Sequence, residues 1–235
     1  KGESRQYFSV DNAQKIDAIR TQIYEWEKAG SITEHEKCYL VTSLLNAINL
    51  VSNVSGTYGS YLKSWDNRAH KKLTLIAPEI IPSSKSNKAY NKDAVSEVSK
   101  HKVDILYLDP PYNSRQYASN YFLLELIAEG WFEVEPAIYG HTGMRPYEHQ
   151  KSLFSMKREA KKALEELVSK ADAKYIMLSY NNEGIIPFDE VKQILARRGQ
   201  VDIKTFDHKR YRSIGQDGSN SKTTEYLFVT KIGEK

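Results

Sequence analysis

Residues 109–112, with the sequence Asp-Pro-Pro-Tyr, follow directly on a largely apolar run at residues 103–108. Proline has no backbone N–H to donate to a strand ladder and pushes the preceding residue toward extended geometry. Two prolines in succession therefore end the strand and stiffen the loop after it. In open α/β sheets, ligands bind beyond the carboxyl ends of the strands. The carboxylate of Asp109 and the ring of Tyr112 thus predict a site for a planar, polar group such as a nucleobase.

Other segments of the chain extend the pattern of Asp109-Pro110-Pro111-Tyr112. They are residues 113–117 (Asn-Ser-Arg-Gln-Tyr), 120–121, 123–125, 178–184 (Leu-Ser-Tyr-Asn-Asn-Glu-Gly) and 224–228 (Thr-Glu-Tyr-Leu-Phe). Together with the first motif they resemble the DNA methyltransferases that act on the exocyclic amine of adenine, and in particular their Dam-like branch. The resemblance covers most of the chain.

The resemblance implies that S-adenosylmethionine donates a methyl group to N6 of an adenine turned out of the DNA duplex. An amine on an aromatic ring is a weak nucleophile because its lone pair is delocalised into the ring. Two acceptors on its protons, the Asp109 carboxylate and the Pro110 carbonyl, favour a pyramidal nitrogen. Pro111 then fixes the turn. Tyr112 stacks on the base, an interaction of about 1–3 kcal/mol that offsets part of the cost of base extrusion.

Asp93, together with Asp109, is the predicted contact to the cofactor. Residues 90–94 (Tyr-Asn-Lys-Asp-Ala) resemble the short motif before the catalytic strand, in which the acidic side chain accepts from the adenine amine of S-adenosylmethionine. Asp93 also stands where it can cap a helix over residues 94–99, and the two roles are compatible. The six histidines and the single cysteine, Cys38, show no metal-like spacing, so we predict no metal site.

The family binds its cofactor with a glycine-rich loop of the type Phe-x-Gly-x-Gly, which this sequence lacks. Gly56 and Gly59 have no strand before them, and Gly140 and Gly143 follow the catalytic motif. We therefore expect that residues upstream of Lys1 are missing, or that a second chain supplies the loop. Half of a split methyltransferase, a non-catalytic DNA-binding subunit, and an RNA or protein-glutamine amino methyltransferase stay open as alternatives.

The polar, glycine-bearing segment 53–65 is the predicted DNA contact outside the base pocket. In Dam-like enzymes, the region between the cofactor-binding and catalytic motifs recognises the target sequence. Asn53 is suited to reading adenine edges and Tyr58 to contacting phosphates. The alternative is that this segment is an ordinary loop that joins a helix to a strand.

Two further pairs of residues are predicted to contact double-stranded DNA. Asn113 and Tyr117 lie just after the catalytic motif, where they either touch the substrate or brace the loop. Arg210 and Arg212 flank Tyr211 in a predicted loop, and this mixture of cations and an aromatic ring favours phosphates and bases. The formal net charge of +4 permits nucleic-acid binding without requiring it.

The elements that must position these residues begin with two helices. Ser9 or Asp11 is the expected cap of the first helix, which ends at Gly30. Thr33 with Glu36 has the pattern of a capping box that opens the second. A short strand is predicted at residues 73–76. Beyond the catalytic motif, helices are predicted at about 118–128, 152–169 and 189–198.

The remaining pattern predicts the sheet. The alternation of strands and helices indicates an α/β fold with a parallel sheet, and residues 201–206 and 223–231 form an antiparallel hairpin. The resemblance implies an S-adenosylmethionine-dependent methyltransferase (Rossmann-like) fold, with a seven-stranded mixed sheet, a C-terminal antiparallel hairpin and a helical insertion. We expect one domain over residues 1–235, with a helical, target-recognition region at 11–70 and the catalytic sheet at 90–235.

Composition sets looser limits. No apolar run approaches the about 20 residues that cross a bilayer, so a membrane partner is not expected. One cysteine in 235 residues excludes an internal disulfide and fits a reducing cytoplasm. Enzymes of this family commonly protect host DNA, so a cognate restriction endonuclease is an expected partner.

Overall fold

The computed structural model describes residues 5–209 and 222–233, which fold into two compact units. The first unit contains the chain up to Ser86 together with Tyr117–Gln150, and the second contains Asn87–Gln116 and the chain from Lys151 onward. In chain order the helices and strands are α1 (Val10–Lys28), α2 (Glu34–Asn49), α3 (Ala94–Glu97), β1 (Lys102–Leu108), α4 (Tyr117–Asn120), α5 (Phe122–Glu129), α6 (Ala160–Lys170), β2 (Asp172–Asn181), α7 (Phe188–Ala196), β3 (Gly199–Lys209) and β4 (Lys222–Ile232).

The predicted caps of the first two helices are confirmed. The hydroxyl of Ser9 accepts from the backbone N–H of Asn12 at the start of α1. At α2, the Thr33 hydroxyl accepts from the backbone N–H of Glu36, and the Glu36 carboxylate accepts from the backbone N–H of Thr33 at 2.7 Å. Side chains thus satisfy N–H groups that a helix start leaves without partners.

A buried arginine joins α1 to α5 within the first unit. Arg20 is 2% exposed. Its guanidinium donates to the carbonyls of Ile127 at 2.8 Å and of Ala128 and Glu129 at 3.2 Å. These carbonyls end α5 and have no partners inside the helix. Arg20 on α1 therefore caps the C-terminal end of α5, which explains why a charged residue lies among apolar neighbours.

A bidentate ion pair between Glu129 and Arg145 predicts a pH effect on the first unit. One guanidinium nitrogen lies 2.8 Å from the Glu129 carboxylate, and the second nitrogen contacts its other oxygen. The hydrogen bond from Arg145 holds the pKa of Glu129 below its usual range. A carboxylate with a depressed folded pKa stabilises the fold above its unfolded pKa, and this stability is lost as pH falls through the folded pKa.

We therefore expect the substitution Glu129→Gln to flatten the pH dependence of stability on the acid side. Glu129 is half exposed, so the contribution of the pair is below about 1 kcal/mol. Urea unfolding at several pH values from 7 to 3 measures the difference between the variant and the wild-type chain. That difference should shrink as pH falls below the ordinary glutamate pKa, and a constant difference would contradict the prediction.

The second unit is built on a mixed sheet with the strand order β1-β2-β4-β3. β1 and β2 are parallel, and the pairs β2–β4 and β3–β4 are antiparallel. The predicted C-terminal hairpin is therefore confirmed as β3 and β4. An α/β plan with a mixed sheet is also confirmed, although the described residues supply four strands of the seven that the resemblance implied.

The two faces of this sheet differ in how they are covered. Ile176, Leu178 and Phe228 are fully buried in one cluster, in which apolar residues of α6 and α7 also lie. On the other face, Ile105 and Tyr107 of β1 are each 57% exposed. Strand residues alternate between faces, which is why neighbours in β1 differ in burial. Among the described strands, β1 pairs on one side only, with β2.

Three local predictions differ from the structure. Residues 73–76 form no strand, because the backbone N–H of Leu73 donates to the buried side chain of Asn12 rather than to a neighbouring strand. The helix predicted at 118–128 is divided at Tyr121 into α4 and α5. The helix predicted at 152–169 begins only at Ala160, after a single 3₁₀ turn at Leu153–Ser155.

The segment Tyr117–Gln150 falls in the first unit, although it begins shortly after Asp109–Tyr112, which belongs to the second. Its residues Phe122 and Ile127 are buried with Leu44 and Ile48 of α2 in one apolar cluster. This burial explains why the segment belongs to the first unit, since the apolar residues of α5 pack in that unit's apolar cluster. Over the two described stretches, no helix is both long and apolar enough to cross a membrane.

Candidate active site

The Asp-Pro-Pro-Tyr motif lies immediately beyond the carboxyl end of β1. Asp109 is exposed, and Pro110, Pro111 and Tyr112 are half-buried. The backbone N–H of Ile185 donates to the carbonyl of Tyr112 at 2.8 Å. Because Ile185 follows β2, this bond joins the loops at the carboxyl ends of two neighbouring parallel strands. That is where an open α/β sheet places its ligand site.

The Tyr112 ring is oriented by a second tyrosine. It meets the ring of Tyr180 edge-on, with centroids 6.3 Å apart and planes at 79°, a favourable geometry for aromatic pairs. Burial raises the pKa of Tyr112, and the carboxylates of Glu225, Asp109 and Glu183 raise it further. The phenol is therefore neutral at physiological pH. Its ring is available for stacking, and the hydroxyl is a poor candidate for a general base.

The rest of the loop is held by hydrogen bonds. The side-chain oxygen of Asn113 accepts from the backbone N–H of Arg115 at 2.9 Å, and the hydroxyl of Ser155 donates to the Arg115 carbonyl. The Gln116 amide donates to the carbonyl of Ser152 at 3.1 Å and accepts from its N–H at 2.7 Å. The structure thus gives Asn113 the bracing role that was one of its two predicted roles.

Two contributors to this site, Tyr180 and Gly184, were not singled out as site residues from the sequence. The Tyr180 hydroxyl accepts from the backbone N–H of Ile186 at 3.1 Å in a buried position. A side chain at Gly184 would overlap the Tyr180 ring, since a Cβ atom there would lie 2.1 Å from Cε1. The signal available in the sequence was a tyrosine at a strand end with a glycine four residues later. Such a pattern becomes informative only when the turn is seen folded over the ring.

Asp93 lies at the start of α3, and its carboxylate accepts from the backbone N–H of Ser96 at 2.9 Å. The predicted capping role is therefore confirmed. Next to α3 and β1 is a cavity of about 250 Å³, lined by Tyr90, Ala94, Val98, Leu106 and Leu108 among others. Its walls are largely apolar, as in most small-molecule sites.

The positions of Asn53 and Tyr58 do not fit the DNA contacts that were predicted for them. Asn53 is 0% exposed. Its amide donates to the carbonyls of Gln6 and Leu62, and its oxygen accepts from the backbone N–H of Asp66. Tyr58 is 2% exposed, and its hydroxyl donates to the Asn49 side chain at 2.8 Å. Burial and these bonds occupy both side chains inside the first unit, so neither can reach DNA in this conformation.

The three other predicted DNA contacts are Tyr117, Arg210 and Arg212. Tyr117 begins α4 in the first unit, is 57% exposed, and meets Tyr121 edge-on at 5.8 Å. Arg210 and Arg212 lie outside the described residues. Over the part of the chain that the structure describes, no three His, Cys, Asp or Glu side chains are grouped so as to hold a metal ion.

Comparison with known proteins gives a consistent result. A family model described as D12 class N6 adenine-specific DNA methyltransferase matches residues 2–194. Type II methyltransferase M.FokI of Planomicrobium okeanokoites is 43% identical over 97% of this chain, which spans 35% of that protein. Modification methylase StsI of Streptococcus sanguinis is 43% identical over 94% of the chain, which spans 34% of its length. Type II methyltransferase M.NlaIII of Neisseria lactamica is 38% identical over 97% of the chain and 68% of its own length. No solved structure gave a significant match.

Proposed function

Because this chain belongs to the D12 class of N6 adenine-specific DNA methyltransferases, we propose that it transfers a methyl group from S-adenosylmethionine to N6 of an adenine in double-stranded DNA. The observation that carries the proposal is the Asp109–Tyr112 loop beyond the carboxyl end of β1, bonded to the turn after β2. The names of its relatives support a place in a restriction-modification system, with a cognate endonuclease as partner.

The chemical roles follow from the residue types on this loop. The Asp109 carboxylate is exposed and accepts from one proton of the adenine amine, and the adjacent Pro110 carbonyl accepts from the other. Both acceptors localise the nitrogen lone pair toward the incoming methyl group. The neutral ring of Tyr112 stacks on the extruded base. When bound, S-adenosylmethionine would supply the electrophilic methyl group and leave as the neutral thioether, and the proton lost from N6 would pass to the Asp109 carboxylate or to solvent. No covalent intermediate with the protein is needed.

The cavity beside β1 supports a place for the adenosine part of the cofactor. Its apolar walls and the ring of Tyr90 suit a flat heterocycle. Asp93 precedes the lining residue Ala94, and its carboxylate has a second oxygen beyond the one engaged in capping. We infer that Asp93 accepts from the adenine amine of the cofactor while it caps α3.

The glycine-rich cofactor loop, which the sequence lacks, is proposed to come from polypeptide beyond these 235 residues, in the same or a second chain. The chain spans about a third of the length of M.FokI and StsI. β1 is the proposed attachment, since Ile105 and Tyr107 are exposed apolar residues on a strand paired on one side only among the described strands. An unpaired strand edge is a template for a further strand.

The direct test is methyl transfer from labelled S-adenosylmethionine to long duplex DNA of mixed sequence, with digestion to nucleosides to identify the methylated base. We expect the label in N6-methyladenine. Isothermal titration with S-adenosylmethionine accompanies it. Cofactor binding with label in another base, in RNA alone, or in a protein glutamine would overturn the proposal. No cofactor binding would instead direct the test to the longer protein or to a partner that supplies the loop.

Tyr112→Ala tests the stacking role. Loss of about 1–3 kcal/mol of stacking should lower kcat/KM for DNA by roughly 5- to 150-fold. Tyr112→Phe retains the ring and is the matched control, which should stay close to wild type. Steady-state kinetics on the same mixed-sequence DNA measure both variants. Equal losses in Tyr112→Ala and Tyr112→Phe would assign the effect to the hydroxyl and contradict stacking.

A non-catalytic DNA-binding subunit is the second candidate, and the missing glycine loop favours it. A subunit of this kind would bind DNA without transferring methyl groups, and replacing Asp109 would not change its affinity for DNA. The retained Asp109–Tyr112 loop argues for the enzyme, because a binding module has no use for two acceptors arranged for an amine.

A further inference from the structure

The turn at residues 181–186, here called the β2 turn, connects the buried side chain of Tyr180 to the backbone of Tyr112. We propose that Tyr180 and Gly184 are positioning residues for catalysis: through the β2 turn they fix Tyr112, and with it the acceptors of Asp109 and Pro110. The inference rests on the proposed function and deepens it, since neither residue touches the reacting atoms in this account.

Two successive backbone amides of the β2 turn make the connection. The N–H of Ile186 donates to the Tyr180 hydroxyl at 3.1 Å. The N–H of Ile185 donates to the Tyr112 carbonyl at 2.8 Å. A change in the position of the turn relative to Tyr180 therefore moves the donor on which the Tyr112 backbone rests.

Tyr180 itself is held firmly. It is 2% exposed and lies in β2 opposite Tyr226 of the antiparallel neighbour β4. Two residues earlier, Leu178 is opposite Leu108, the last residue of β1 before Asp109. The strand end that carries Tyr180 is thus fixed by both neighbouring strands, which makes it a rigid reference for the Asp109–Tyr112 loop.

Gly184 allows the turn to close over the Tyr180 ring. A Cβ atom at this position would lie 2.1 Å from Cε1 and 2.8 Å from Cζ of Tyr180. The turn is otherwise tied by the bond from the Gly184 N–H to the Asn181 carbonyl and from the Glu183 N–H to the Asn181 side chain. Any larger residue at 184 must displace the turn or the ring, and Ile185 lies next to it in the chain.

We expect a displacement of the β2 turn to lower the rate of methyl transfer. Reacting groups must be held close to the productive geometry, and an error of about 1 Å can lower the rate by about 100-fold. Tyr180→Phe removes the acceptor for Ile186 and leaves the ring in place. Gly184→Ala keeps the acceptor and forces the turn away from the ring. The two variants disturb the same contact from opposite sides.

Tyr7→Phe is the matched control. The Tyr7 hydroxyl donates to the Tyr58 carbonyl at 3.1 Å in a buried position of the first unit. Its loss removes a hydrogen bond of comparable length and burial without touching the β2 turn. Any effect that is general to losing a buried tyrosine hydroxyl should appear in this variant as well.

Hydrogen exchange of the free protein, followed by mass spectrometry, gives a readout that does not depend on activity. In Tyr180→Phe and Gly184→Ala we expect faster exchange in peptides covering 182–186 and also in those covering 109–116. The central part of β2 and the first unit should exchange as in the wild type. Tyr7→Phe should leave both loops unchanged.

Kinetics provide the second readout. We expect Tyr180→Phe to lower kcat for methyl transfer about tenfold, as for loss of one buried hydrogen bond, with an unchanged KM for S-adenosylmethionine. Faster exchange confined to 182–186, with 109–116 unaffected, would overturn the inference. So would equal losses of kcat in Tyr180→Phe and Tyr7→Phe. If exchange couples the loops while the wild-type protein binds S-adenosylmethionine but methylates no adenine, the coupling stands and the proposed function fails.

Discussion

Replacement of Asp109 by alanine is expected to lower methyl transfer by about 100- to 1,000-fold while leaving the fold and the affinity for DNA nearly unchanged. The carboxylate is exposed, so its removal leaves no buried group unpaired. In the proposed mechanism, however, it is one of the two acceptors that localise the lone pair of the adenine amine. This stabilisation is needed most in the transition state, and we therefore expect the loss in kcat.

Asp104→Ala is the matched control for this experiment. Asp104 is another exposed carboxylate, on β1 itself, and it pairs with Lys174 at 2.7 Å. An ion pair this exposed is screened by solvent and contributes little to stability, so the control should retain activity. Asp109→Asn, which keeps one acceptor oxygen, should fall between wild type and Asp109→Ala. Single-turnover kinetics and fluorescence anisotropy with labelled DNA separate the chemical step from binding.

The proposed role fails if Asp109→Ala transfers methyl groups at the wild-type rate. A parallel fall in DNA affinity and rate would assign Asp109 to binding instead of chemistry. If neither wild type nor Asp109→Ala transfers methyl groups in the presence of bound cofactor, and both bind DNA equally, the non-catalytic subunit is the better account.

The position of the Asp109–Tyr112 loop could be predicted from the sequence because its determinants are local. An apolar run followed by Pro110 and Pro111 must end a strand and stiffen a loop, whatever the rest of the fold does. The helix caps at Ser9 and Thr33 were predictable for the same reason, since a cap depends on residues within one turn of the helix. The C-terminal hairpin likewise follows from two neighbouring strand patterns.

Residues whose roles depend on distant partners could not be recognised in this way. Arg20 has the pattern of a solvated helix residue, yet it closes α5 about a hundred positions later in the chain. Tyr180 and Gly184 act through a turn that folds over the Tyr180 ring, and no sequence pattern predicts this packing. The segment around Asn53 resembled the target-recognition region of the family, but an asparagine side chain is equally suited to hydrogen bonding with buried backbone groups.

Asn53→Ala is accordingly expected to reduce stability strongly, even though the residue was predicted to contact DNA. The side chain ties together Gln6, Leu62 and Asp66 through three hydrogen bonds of 2.9–3.0 Å. Alanine leaves these backbone groups without partners in a buried place. Each unsatisfied group costs about 1–3 kcal/mol, and partial hydration reduces the sum. We expect a loss of about 2–4 kcal/mol and a fall in Tm of about 5–10 °C.

Calorimetry and urea unfolding measure this loss, and Asn91→Ala, at an exposed position, is the control that should leave Tm unchanged. Asn53→Asp keeps the acceptor for Asp66 but loses both donors and buries a charge. It should therefore be at least as unstable as Asn53→Ala. If Asn53 instead reads DNA, Asn53→Ala should keep the wild-type Tm and lose DNA affinity. Because its amide is used twice and its oxygen once within the first unit, we expect any loss of DNA affinity to follow the loss of folded protein.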